Sequence, residues 1–167
     1  MTTTVDGLEA FHDLVGKQIG YSDWQTITQE RVNLFADATD DHQWIHVDVE
    51  KAKAESPYGG TIAHGFLTLS LIPYLTSQLR RVEGMRMGVN YGLDRVRFPN
   101  PVRVGRRVRA RATMISLDKI GAAAVHLVTR VTIEVEGSDK PACVADMVGR
   151  CYFDAPVLET SSPAAGE

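Results

Sequence analysis

Cysteine is almost missing from this sequence: Cys143 and Cys151 are the only two in 167 residues. Both fall in a stretch that reads as a strand, where eight residues at about 3.3 Å each would hold them about 26 Å apart. A disulfide needs Cα atoms within about 7 Å. The expectation is a fold without a disulfide framework, with free thiols suited to a reducing, cytoplasmic setting. No secretory leader is expected either, since Met1–Val15 shows no basic-then-apolar pattern. Long apolar runs are scarce. The one candidate is Ser56–Leu79, which contains no Asp, Glu, Lys or Arg. It is interrupted by His64, Pro73, Gln78 and three glycines, so it reads as a buried core helix rather than a membrane span.

The net charge is also small, at −3, but that sum hides unlike parts. Residues 1–60 carry 4 basic and 11 acidic residues, residues 61–111 carry 10 and 2, and residues 112–167 carry 4 and 8. The basic block is arginine throughout, from Arg80 to Arg111. It lacks interleaved aromatics and any recognition motif, which argues against nucleic acid as a partner. Two readings of it stand side by side: the solvated face of a strand, or an electrostatic cradle for a polyanionic small molecule.

An apolar fraction of 44% with 23% charged residues suits one soluble globular domain. Its expected extent is residues 1–153, followed by a frayed tail at 154–167 carrying Pro156, Pro163 and a Ser/Ala/Gly run. Thr28 suits an N-cap, and Val32, Phe35, Ala36 and Thr39 recur at helical spacing, so a helix is expected to about Asp40. Asp48 can cap a short helix to about Glu55; Pro57, Gly59 and Gly60 then force a loop. One long buried helix is expected from near His64 to Leu79. From Val89 the period changes. Val89–Phe98, Arg107–Met114, Val125–Val135 and Ala142–Phe153 read as strands, several with one wet face. Helices first and long antiparallel strands afterwards predict an α+β domain whose sheet curls around the central helix.

The densest polar cluster is Asp40-Asp41-His42-Gln43-Trp44-Ile45-His46-Val47-Asp48, expected in an irregular segment after a helix. A carboxylate and an imidazole five residues apart across a turn, Asp41 and His46, can reach one water. The carboxylate would orient it while the imidazole, titrating near pH 6.5, takes or gives its proton. The same residues would equally serve as a turn cap and a backbone-bonded histidine. Upstream of the buried helix, Gly59-Gly60-Thr61-Ile62-Ala63-His64-Gly65 offers unpaired helix-start N–H groups, as an oxyanion hole needs; Gly65 would equally permit tight packing. His42, His46 and His64 raise a metal alternative. Their spacing falls in an expected loop beside a bulky Trp44, and no metal or other cofactor is expected.

Three ordered blocks resemble a known family. Phe35 to His46, with Ala52 beyond it, resembles the hydratase-2 signature of MaoC-like (R)-specific enoyl-CoA hydratases. Ile62-Ala63-His64-Gly65 resembles their second block. Val96-Arg97-Phe98-Pro99-x-Pro101-Val102-x-Val104-Gly105 resembles their third, and the nearest likeness is to the single-domain, nodulation-protein-N-like branch. The resemblance implies a hot-dog fold paired into a homodimer whose sheets join. It implies reversible hydration of a trans-2-enoyl thioester, carried by CoA or by acyl-carrier protein, to the (R)-3-hydroxyacyl product. Asp41 and His46 would activate the water and Gly65 N–H would polarise the thioester carbonyl. Ile62, Ala63 and His64 would lie along the substrate, and Asn90 and Tyr91 would line the acyl or pantetheine path. No metal, redox cofactor, nucleic acid or membrane is implied. Two departures stand out: Asp40 replaces the usual glycine and Gln43-Trp44 the usual Asn-Pro. A hot-dog acyl-CoA thioesterase and a non-catalytic acyl-thioester-binding subunit are the rival functions.

Overall fold

The computed structural model describes residues 2–154. The expected tail lies outside the described residues apart from Asp154. In chain order the elements are β1 (Thr3–Val5), α1 (Gly7–His12), β2 (Gln18–Tyr21), β3 (Gln25–Thr26), α2 (Gln29–Thr39), α3 (Trp44–Val47) and α4 (Val49–Glu55). They continue with α5 (Gly65–Ser70), α6 (Ile72–Ser77), β4 (Arg80–Val82), β5 (Met85–Arg97), β6 (Arg107–Gly121), β7 (Ala124–Val135) and β8 (Cys143–Phe153). The main sheet runs β2-β6-β7-β8-β5, with β3 also on β6, and its pairings are antiparallel. β1 and β4 form a separate parallel pair.

Alternation along β6 and β7 decides which face is wet. Val108, Ala110, Ala112 and Met114 of β6 are fully buried, as are Val131 and Ile133 of β7. All but Met114 pack with Leu67, Ile72 and Leu75 of the α5–α6 rod and with Ile27 and Val32, while Met114 joins Phe11 and Leu117 in a second cluster. Burying a side chain the size of Leu75 or Ile133 stabilises the fold by about 1.5–3 kcal/mol each. On the opposite face, Arg107 pairs with Glu136, and Arg109 and Arg111 both reach Glu134. These three arginines are therefore the solvated face of a sheet, neutralised across strands. This is the α+β, hot-dog arrangement expected from the pattern change and the resemblance.

The expected single helix from His64 is two helices. Pro73, near the start of α6, has no N–H to donate back to the preceding turn, so the rod is segmented at Leu71 while its apolar face stays continuous. The strands are longer than expected: β5 begins at Met85 and β6 runs on to Gly121. The segment around His46, expected to be irregular, is the single helical turn α3. No helix among the described residues is long and apolar enough to cross a membrane. Cys143 and Cys151 are both free and buried on β8.

Candidate active site

Helix α2 is capped at its start by Thr28, whose hydroxyl accepts a hydrogen bond from Arg31 N–H, and at its end by Asp40 in the left-handed region (φ 58°, ψ 18°). That turn throws Asp41 out of the helix and directs the chain into α3, which carries His46 inward. The Asp41 side chain is 54% exposed, whereas His46 is 7% and His64 2% exposed. A half-solvated carboxylate thus faces two buried imidazoles.

Each ring is oriented by a backbone carbonyl. His46 Nδ1 lies 2.7 Å from the Ile62 carbonyl oxygen; a carbonyl only accepts, so Nδ1 carries the hydrogen and Nε2 keeps its lone pair. His64 Nε2 lies 2.9 Å from the Asp41 carbonyl oxygen and donates to it by the same logic. Its Nδ1 is buried without a partner. The two rings stack with centroids 3.8 Å apart, and Phe35 closes over His64 at 5.1 Å. Burial is the main force holding the His46 pKa below the ordinary imidazole value; the adjacent His64 pushes the same way, while the Ile62 bond and Asp41 partly oppose them. His46 is therefore a neutral ring with a free basic nitrogen at pH 7. The neutral ring contributes stability that is present above about pH 6.5 and lost as pH falls below that value, because the unfolded chain takes up the proton first.

A second layer was not legible in the sequence. Gln29, in the first turn of α2, donates through Nε2 to the His46 carbonyl at 2.7 Å and accepts at Oε1 from the Thr61 hydroxyl at 2.6 Å. It ties α2, α3 and the 59–64 loop together. No spacing rule marks a glutamine 17 residues from the group it holds. Arg103 plays a similar part from the other side, donating to the Gly59 carbonyl at 2.7 Å.

Gly65 opens α5, and its N–H has no hydrogen-bond partner among the described residues. A Cβ at this position would lie 3.1 Å from the Phe98 ring. Ile62 and Ala63 are buried, and what Ile62 brings to the site is its carbonyl. Asn90 and Tyr91 are not gathered with Asp41 and His46. They line a hollow of about 280 Å³ with Leu69, Pro73 and Met147. Tyr91 lies under the Arg150 guanidinium and against His126. His42 turns away and pairs with Asp37 at 2.9 Å, which raises its pKa. The histidine trio considered as metal ligands is thus not assembled. Asp41, His46 and His64 do each place one ligand-capable atom within 4.8 Å of the others, although the His64 Nε2–H is committed to the Asp41 carbonyl.

The family model described as MaoC like domain matches residues 10–137. The chain belongs to the MaoC-like family. It is 56% identical over 135 residues to 3-hydroxyacyl-thioester dehydratase Z of Mycobacterium tuberculosis (strain ATCC 25618 / H37Rv), covering 81% of this chain and 89% of that protein. It is 47% identical over 141 residues to nodulation protein N of Rhizobium leguminosarum bv. viciae, covering 84% and 88%. Among solved structures, a monoamine oxidase regulatory protein from Archaeoglobus superposes with a TM-score of 0.72 at 22% identity, covering 92% and 98%, a likeness of fold.

The departures of this MaoC-like chain now have physical readings. Asp40 sits where the backbone has positive φ, which glycine adopts freely and other residues at a cost that aspartate bears better than most. Asp40→Gly is expected to raise stability by about 1 kcal/mol, read from the urea midpoint; a lower midpoint would show that the carboxylate has a compensating role. Trp44 opens α3 and lies under the Lys51 ammonium at 4.9 Å, so this MaoC-like chain starts its helical turn with a bulky ring where the signature has proline.

Proposed function

We propose that this chain adds water reversibly to a trans-2-enoyl thioester, giving the (R)-3-hydroxyacyl thioester, and in the reverse direction dehydrates it. The observation that carries the reading is the His46 tautomer: Nδ1–H held by the Ile62 carbonyl leaves Nε2 as a base beside the Asp41 carboxylate. The identity to a protein named 3-hydroxyacyl-thioester dehydratase supports it.

In the hydration direction Asp41 accepts a hydrogen bond from the water and fixes its oxygen over C3. His46 Nε2 takes a proton as the C–O bond forms, and the π electrons move toward the thioester oxygen. Gly65 N–H stabilises the charge developing there. The proton held on His46 then passes to C2 and restores the neutral ring, so H and OH are added overall and no electrons are exchanged with any cofactor. His64, donating to the Asp41 carbonyl, fixes the segment that carries the carboxylate and is a positioning residue. The (R) outcome follows if water and proton reach the face of the alkene that Asp41 and His46 share.

Purified protein with crotonyl-CoA tests this. The ultraviolet absorbance of the conjugated thioester should fall and chiral analysis should give the (R) product. Release of free thiol from a saturated acyl-CoA would instead favour the thioesterase, and binding without turnover the acyl-thioester-binding subunit.

We further infer a homodimer joined at β5. Among the described residues this strand pairs only with β8, and Met85, Met87, Val89, Tyr91 and Leu93 are all exposed along it, a long apolar edge of the kind that a second copy covers. Free, buried Cys143 and Cys151 support the reducing, cytoplasmic setting.

A further inference from the structure

The proposed chemistry leaves a large cavity unused. It measures about 850 Å³ and lies between α6 and the sheet, walled by Leu127 and Val131 of β7, Met147 of β8 and Val82 of β4. The smaller hollow beside α5 shares Pro73, Asn90 and Met147 with it. Together they follow the rod from Leu69, one turn beyond Gly65, to Ser77, a helical path of about 18 Å from Gly65 at 1.5 Å per residue. A largely apolar channel that extends about 12 Å along the rod, from Leu69 to Ser77, suits an aliphatic chain.

One end of the channel is not apolar. Arg80, on β4, lines the cavity with its guanidinium 5.0 Å from the Phe11 ring centroid, among Val82, Cys151 and other buried side chains. It forms no ion pair and no side-chain hydrogen bond with any described residue. Arg107, Arg109, Arg111 and Arg130 each hold a carboxylate, whereas Arg80 shares the cavity wall with Arg81 and with Arg150, whose guanidinium is stacked over Tyr91. Glu83 is also on the cavity wall but makes no ion pair with Arg80. Desolvation lowers the Arg80 pKa, and a guanidinium drawn from water ordinarily has a counter-charge. Along the wall, the Thr129 hydroxyl is buried without a hydrogen-bond partner. An apolar channel with an unpaired cation at its end matches an amphipathic anion, and the planar guanidinium fork matches the two oxygens of a carboxylate.

We propose that this cavity binds an aliphatic chain ending in a carboxylate, with Arg80 as the counter-ion. The chain has two possible sources. It is either the far end of an ω-carboxyl enoyl thioester whose reacting carbons sit at His46, or a free fatty acid. Only the first source rests on the dehydratase reading.

The test uses the full-length protein, Arg80→Met and Arg80→Lys, with decanoate and decan-1-ol as probes in calorimetry. Wild type and Arg80→Lys are expected to bind decanoate at least about tenfold more tightly than decan-1-ol, and Arg80→Met is expected to lose that difference, the scale of a charge-assisted hydrogen bond. Because the comparison is made within each variant, a general loss of packing in Arg80→Met would weaken both probes alike. A kinetic arm compares C12 trans-2-enoyl-CoA with and without an ω-carboxyl group, using crotonyl-CoA as the short-chain control. Preference for the ω-carboxyl substrate in wild type, erased in Arg80→Met with crotonyl-CoA turnover unchanged, assigns the site to the substrate. Selective decanoate binding without that kinetic preference assigns it to a free fatty acid. Equal binding of decanoate and decan-1-ol by wild type, with no ω-carboxyl preference, overturns the proposal. If wild type fails to hydrate crotonyl-CoA, the dehydratase reading falls while calorimetry still decides the cavity.

Discussion

Turnover of crotonyl-CoA is expected to fall by about two orders of magnitude or more in His46→Gln and again in Asp41→Asn, the usual scale for removing an acid–base group. Glutamine can keep a donor on the Ile62 carbonyl but offers no basic nitrogen, so His46→Gln separates proton transfer from anchoring. Asparagine keeps the size of Asp41 and removes its charge. The effects should not add: once either member is lost the other has no activated water to work on, and the double variant should be little slower than the worse single one. The pH profile supplies a second readout. Because burial holds the His46 pKa below 6.5, kcat/KM in the hydration direction should be flat through neutrality and decline only on the acid side of pH 6.5. Full activity in either single variant, with circular dichroism unchanged, would refute the assignment of the pair.

Gly65→Ala is the second large effect. The added methyl group would lie 3.1 Å from the Phe98 ring, closer than carbon atoms pack. Either Phe98 or the start of α5 must shift by a few tenths of an ångström. The proposed contact between Gly65 N–H and the thioester oxygen is a distance-critical one, where misplacements of about 1 Å cost about 100-fold. Gly65→Ala is therefore expected to lower kcat by about 10- to 100-fold. Phe98→Leu in that background should recover much of the loss by making room. Phe98 meets Phe66 edge-to-face at 6.0 Å and both rings are exposed, so shortening it should perturb the core little. No recovery in the double variant would mean that the alanine acts on the N–H itself rather than through the ring.

These experiments rest on a site that was partly legible in the sequence. Local signals read well because they depend on neighbours in the chain: Thr28 and Asp48 both cap the helices expected of them. The alternation of Val108 to Met114 with arginines assigned the two faces of β6 correctly. Asp41, His46 and Gly65 were named because their spacing carries chemistry. What escaped depends on contacts distant in sequence. Gln29 reaches His46 and Thr61 only after α2 docks, and Phe98 meets Gly65 across 33 positions. Pro73 should have signalled the break in the central rod, but continuous apolar residues on both sides obscured it. Asn90 and Tyr91, named by resemblance for the acyl or pantetheine path, line the hollow with Leu69, Pro73 and Met147, away from Asp41 and His46 themselves. The arginine block could not be divided by sequence, since only the register of β6 against β7 shows which guanidinium groups meet Glu134 and Glu136.

The Gln29 clamp has a consequence for how the protein loses function on heating. Gln29 is the first residue of α2, and helix ends fray at lower free energy than the body of a domain opens. Opening that single turn releases the His46 carbonyl and the Thr61 hydroxyl together, while the sheet and the α5–α6 rod remain intact. Inactivation should therefore precede the cooperative melt, with backbone amides near Arg31 and Val32 exchanging with solvent well before those of β7.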